Sequence, residues 1–220
     1  MIINPRWIPQ CRYTDATTRA NVIGVLKLLE NVKGVIQFLC KPETNGPLKL
    51  KPVGRVCDPK FMRFSEMAQA IKAVLHALAE LHKRDFCHCD VRWPNVIFDV
   101  WNNTFVLIDF EYARPVGSEL PSIKKQYICP WSTKKSWDKT ADTWQVAEMV
   151  KKWMDLHTDY HAKEVVESLN ANEDWGPDRL LKELQQVWPR LDDSAAADTA
   201  IDSTAAAAAA AASAVAAPSV

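Results

Sequence analysis

The chain has 220 residues, 27 basic and 27 acidic side chains, a formal net charge of zero, and only six glycines. Gly24, Gly34, Gly46, Gly54, Gly117 and Gly176 stand at least eight residues apart, so no G-x-G-x-x-G or G-x-x-x-x-G-K-[ST] loop exists to cradle phosphates. Residues 192–220 hold four aspartates, fifteen alanines and no Lys or Arg, which leaves residues 1–191 a diffuse net charge of +4 that points to no nucleic-acid partner.

In chain order, residues 17–30 predict a helix, with Val22, Val25, Leu26 and Leu29 at three- and four-residue spacing. Gly34–Leu39 reads as a strand, 41–47 as a turn rich in Pro, Asn and Gly, and Leu48–Val53 as an edge-like strand because Pro52 has no N–H to donate. Residues 65–83 give the clearest helix, with Ser65 as its expected N-cap and Met67, Ile71, Val74, Leu75, Leu78 and Leu81 as one apolar stripe. A polar and aromatic loop follows from Asp85 to Pro94. Val96–Val100 and Phe105–Phe110 then predict a β-hairpin that turns at Asn102-Asn103. Residues 111–139 read mostly as loop. Residues 141–156 predict a helix apolar on nearly all sides, hence central, and shorter helices fit 161–170 and 178–188.

The loop carries the chemistry. His88, Asp90 and Asn95 stand in the spacing H-x-D-x-x-x-x-N, and fourteen residues past Asn95 comes Leu-Ile-Asp109-Phe-Glu. The hairpin folds Asn95 toward Asp109, giving two oxygen ligands on neighbouring backbones, as a magnesium ion that bridges phosphate oxygens requires. Asp90, outside that pair, is free to accept a proton from a hydroxyl nucleophile. These residues, with Asp142-Thr-Trp144 opening a buried helix, resemble the catalytic loop, metal motif and central helix of protein kinases. The resemblance covers about residues 50–155. It implies an α+β, protein kinase-like fold: a mainly helical large lobe with a catalytic-loop hairpin, and a reduced small lobe. It makes Asp90 the catalytic base, Asn95 and Asp109 the ligands of Mg²⁺ and ATP, Asp142 a brace for the loop, and Arg92 a contact for the transferred phosphate. Arginine-containing loops of this kind are also found in kinase-like proteins of fungi and oomycetes.

The departures from that pattern define the question. Cys89 replaces the arginine of H-R-D, Glu111 replaces the glycine of D-F-G, and Cys129-Pro-Trp131 falls where A-P-E would be. No V-A-I-K strand precedes residue 60; Lys27, Lys33 and Glu30 lie in or beside a helix. The expected organisation is a reduced small-lobe segment and hinge over 1–55, a large lobe over 56–191, and an Ala-rich disordered tail over 192–220. The function expected is transfer of the ATP γ-phosphate to a protein Ser/Thr hydroxyl. Two alternatives stand beside it. One is a catalytically impaired pseudokinase that acts as a binding module. The other is a small-molecule kinase of the choline or aminoglycoside type, which shares H-x-D-x-x-x-x-N and matches Ile108-Asp-Phe-Glu111.

The remaining residues have plainer readings. No apolar stretch reaches the eighteen or so residues of a membrane span, the N-terminus has no signal-type apolar core, and six cysteines read as reduced thiols. The expectation is an intracellular, cytoplasmic protein with no membrane partner. Cys87, His88, Cys89 and His82 lack the paired C-x₂₋₄-C spacing of structural zinc sites, and His88 reads as a buried structural ring. Arg92 has two open readings, a phosphate contact or a partner of Asp90 or Glu111.

Overall fold

The computed structural model describes residues 10–11, 15–44, 46–119, 136–157, 177, 179 and 182. Strand β1 (Gln10–Cys11) is followed by helix α1 (Ala16–Leu28), whose start is capped by the Asp15 carboxylate accepting from Thr17 N at 3.2 Å and Thr18 N at 2.6 Å. The Thr18 hydroxyl, donating to the same carboxylate at 2.7 Å, and then the Thr18 and Thr17 amides hold the Asp15 carboxyl below the ordinary carboxylate range. The helix buries Val22, Val25 and Leu26, with Leu29 just beyond its end, as the spacing predicts. The Gln37 side chain then fastens that end to the next strand: it accepts from Asn31 N and donates to Leu29 O and Val35 O.

Strands β2 (Gln37–Phe38) and β3 (Leu48–Lys51) join β1 in an antiparallel sheet of order β1-β3-β2. The expected edge strand is therefore the middle one. Pro52 lies past its end, so the missing N–H removes no ladder bond. Gly34, at φ +78, packs a would-be Cβ 3.4 Å from Ala73 O, while Leu107 N donates to Gly34 O and Ile36 N to Leu107 O. This bridge fixes the α1 layer to the hairpin behind it.

Strand β4 (Arg55–Val56), unforeseen from sequence, pairs antiparallel with the hairpin of β6 (Val96–Asp99) and β7 (Thr104–Leu107). Gly54 permits that pairing, since a Cβ there would sit 2.6 Å from Phe98 O. The hairpin turns where predicted, with Asn103 at φ 49 and Asp99 accepting from Trp101 N and Asn102 Nδ2.

Helix α2 (Phe64–His82) buries the whole predicted stripe. Its N-cap is Arg63, not Ser65: Glu66, at the third helical position, reaches back to accept Arg63 N at 2.9 Å, and Ser65 falls inside the first turn. Strand β5 (Phe86–Cys87) then pairs with β8 (Arg114–Pro115). Helix α3 (Lys139–His157) is capped by Asp138, which accepts from Thr140 N and Ala141 N. It is less enclosed than its sequence suggests. It buries Ala141, Val146, Ala147, Met149, Val150 and Trp153, but exposes Lys151, Lys152, Asp155 and Leu156 and leaves Trp144 half-buried.

The core joins α1, α2, the hairpin and α3. Trp153 meets Phe64 edge-on at 5.8 Å and donates its indole N–H to Met62 O. Trp137 and Ala141 pack a smaller cluster on Cys87 and Cys89. The expected helix at 161–170 and the tail at 192–220 lie outside the described residues, as does most of 178–188, where Arg179 and Lys182 are helical. No described helix is long and apolar enough to cross a membrane.

Candidate functional site

The loop from His88 to Asn95 has little regular structure of its own and takes its shape from α3. Cys89 sits at φ 66, and this left-handed kink lets two successive amides serve one carboxylate: His88 N donates to Asp142 Oδ2 at 2.7 Å and Cys89 N to Asp142 Oδ1 at 2.9 Å. Trp137 Nε1 adds a third bond to Asp142 Oδ1 at 3.0 Å, and His82 Nε2 lies 2.9 Å from Oδ2. Burial drives the Asp142 carboxyl upward, but the hydrogen bond and charge of His82, with His88 behind it, outweigh that and hold it below the ordinary range.

One turn further along α3, Gln145 accepts from Val91 N at 2.7 Å and donates to Cys89 O at 3.2 Å. It thereby grips the backbone on both sides of Asp90. Trp93 donates its indole N–H to Met149 O at 2.9 Å. Gln145 went unpredicted, although its place three residues after Asp142 puts both on one face of the helix.

The four candidate residues are distributed as follows. Asp90 is 3% exposed and Asn95 4%. The Asn95 amide nitrogen donates to Asp90 O and Asp90 Oδ2, both at 2.8 Å, so the amide oxygen is the group left to bind a ligand. Arg92 Nε lies 2.9 Å from both Asp90 oxygens. Arg92 thus pairs with Asp90, and Asp90 is a partnered carboxylate and not a free one. An ionised carboxylate accepts about four hydrogen bonds, so it retains room for a hydroxyl donor.

Asp109 follows β7, held beside Asn95 by the bond from Ile108 N to Asn95 O at 2.9 Å. It adopts φ 65, ψ 68, a left-handed conformation that costs a non-glycine residue about 1 kcal/mol or more. Its half-buried carboxylate makes no hydrogen bond or ion pair among the described residues. Glu111, in the turn that follows, has its carboxyl pushed up by burial and then by the negative charges of Asp109 and Asp90. Asp90, Asp109 and Glu111, the last two with no hydrogen-bond or ion-pair partner among the described residues, and a spare amide oxygen form a donor set of the kind hard divalent cations bind. Helix α1 abuts this turn, and Asn21 Nδ2 donates to Ala113 O at 2.8 Å.

His88 is fully buried, edge-on to Phe110 at 4.8 Å, with Nε2 3.1 Å from Ile108 O, which matches its reading as a structural ring. Of the four residues with a zinc-like look, only His82 and Cys87 converge, with Asp142 as the third member of the cluster. The Asp142 oxygens already serve four nitrogen donors, and burial, then Asp142, raises the Cys87 thiol far above its ordinary value. In this structure the cluster acts as a hydrogen-bonded strut for the loop.

Comparison with known proteins gives two informative likenesses. Over 75 residues the chain is 39% identical to Crinkler effector protein 8 of Phytophthora infestans, a match of 34% of this chain and 12% of that protein. Its fold is similar to that of the kinase PK-1 of Cydia pomonella granulovirus, with a TM-score of 0.53 and 23% identity over 64% of this chain and 56% of the kinase. No family model matches. The chain thus has a protein kinase-like fold, and spans only part of the length of either protein.

Proposed function

We propose that the chain is a protein kinase-like phosphotransferase that moves the γ-phosphate of ATP to a protein Ser/Thr hydroxyl. The observation that carries the reading is the Asp109 carboxylate, without a hydrogen-bond or ion-pair partner among the described residues, at the strand end that Ile108 N ties to Asn95 O, next to the buried Asp90–Asn95 pair. In this reading Asn95 and Asp109 hold Mg²⁺, which when bound neutralises charge on the nucleotide phosphates. Asp90 accepts the proton of the acceptor hydroxyl as the hydroxyl oxygen bonds to the γ-phosphorus and the bond from that phosphorus to the β-phosphate oxygen breaks, releasing ADP; Arg92 orients Asp90 and faces the transferred phosphate. Phosphoryl transfer asks mainly for position and charge compensation, and the bonds from α3 to the loop supply position. Such an ATP-dependent enzyme works inside a cell, on a protein partner.

A second reading, a pseudokinase that binds a partner without turnover, draws on the lack of a glycine loop, on the lack of any lysine ahead of α1, and on the ion pair that ties Arg92 to Asp90. A small-molecule kinase would share the same metal ligands, and the acceptor distinguishes it. The first test is thermal unfolding with ATP and Mg²⁺. Ligand at a hundred times its Kd adds about 2.7 kcal/mol to the wild type, and Asp109→Ala abolishes the gain. Absence of any gain at millimolar nucleotide overturns both nucleotide-binding readings. Where the gain appears, transfer of labelled phosphate to protein, lost in Asp90→Ala, separates enzyme from scaffold.

A further inference from the structure

None of the candidate catalytic residues lines the cavity of about 320 Å³ formed where the turn before β2 meets α2 and the start of β7. Its walls are Lys33, Gly34, Gln69, Lys72, Ala73, His76 and Thr104. Gln69, Lys72, Ala73 and His76 form one stripe of α2 at helical spacing, and Lys33 enters from the turn that Gly34 pins against Ala73 and Leu107. The walls are therefore set by elements anchored in the core.

The charge in this cavity is one-sided. It has no carboxylate, and Lys33, Lys72 and His76 make no ion pair or hydrogen bond among the described residues. Lys49, Lys83, Arg84 and Lys139 each meet an Asp or Glu within 3.5 Å, while Lys151 and Lys152, like Lys33 and Lys72, meet none among the described residues; what sets Lys33 and Lys72 apart is that they line one cavity. The backbone N–H groups of Lys33 and Gly34 likewise donate to no described residue. Two lysines that line one cavity without a counter-charge suit an anion, because an anion relieves their mutual repulsion. A volume near the lower end of ligand cavities, about 300–1,000 Å³, suits a small one.

We propose that this cavity binds the phosphate groups of a small phosphorylated ligand, independently of the candidate phosphotransfer site. Phosphate fits the donors: lysine ammonium groups act as point charges toward its oxygens, and the polar Gln69 and Thr104 side chains supplement them. The phosphate belongs either to a soluble compound or to a lipid headgroup.

Isothermal titration and amide chemical-shift mapping on the full chain test the proposal, with pyrophosphate and inositol 1,4,5-trisphosphate as probes. EDTA is kept present so that no divalent cation bridges the probe to Asp109. The expected result is saturable one-site binding that moves the Lys33, Gly34, Ala73 and Thr104 amides. The Lys33→Ala/Lys72→Ala double variant weakens it by about tenfold or more, while Lys151→Ala and Asp109→Ala leave it unchanged. All the substituted lysines are exposed, and an unchanged melting temperature verifies that the double variant is folded. Cosedimentation with phosphatidylcholine vesicles that contain phosphatidylinositol 4,5-bisphosphate, competed by pyrophosphate, assigns a lipid headgroup; soluble binding alone assigns a free ligand. Absence of saturable binding overturns the proposal. So do equal weakening by Lys151→Ala and shifts that map to residues 109–111.

Discussion

Where the loop around Asp90 faces α3, its polar groups are closed off: the amides of His88, Cys89 and Val91 and the carbonyl of Cys89 all end on Asp142 or Gln145. Across the hairpin the opposite holds. Asp109 has no partner among the described residues, occupies a left-handed backbone conformation, and shares its surroundings with Glu111, whose proton affinity is raised. The closed side spends its hydrogen-bonding capacity on shape, and the open side retains unbalanced negative charge. Under the proposed function, that contrast would let a cation enter at Asp109 while the bonds from α3 keep the Asp90 loop in place.

That contrast can be broken most forcefully at Asp142. Asp142→Ala strands three N–H donors and His82 in a buried space, and costs about 3–5 kcal/mol, a large share of the roughly 5–15 kcal/mol that holds a typical domain together. Urea unfolding measures it. The same residue sets a pH signature. Its native carboxyl titrates below the ordinary value of 3.8, so its stabilisation is complete above that pH and is lost as pH falls through the native value. Asp142→Asn flattens this acid limb in melting curves taken across pH; an unaltered limb would mean that other carboxylates govern it.

Gln145→Leu comes next. It leaves Val91 N and Cys89 O without partners at about 1–3 kcal/mol each. Urea unfolding reads the loss. The smallest effect is expected on the open side. Glu111→Gln removes a like charge from an exposed position and changes stability by no more than about 0.5 kcal/mol without Mg²⁺. A large loss there would show that Glu111 is a structural residue and would end the contrast.

The difference also explains what the sequence could reveal. The α2 stripe was legible because one burial face imposes one period, and the Asp90, Asn95 and Asp109 set because a loop and a hairpin fix their separation along the chain. Gln145 was not, because a neutral amide on a helix carries no mark of the backbone it meets 54 residues earlier. Strands β4, β5 and β8 are two residues each, too short to show alternation. The central place of β3 depended on β1, which no pattern announced. Ser65 looked like a cap from its residue type, but the reach of Glu66 back to Arg63 N decided the matter.

The partners of the Asp90 loop lie 53 to 56 residues downstream on α3. During synthesis, therefore, α2 and the hairpin can be complete while His88, Cys89 and Val91 still hydrogen-bond to water. The loop takes its fixed shape only when Asp142, Gln145 and Met149 are in place. In the finished protein the reverse holds: these loop amides exchange with solvent only when α3 detaches, so their protection reports the opening of the whole unit and not the breathing of a loop.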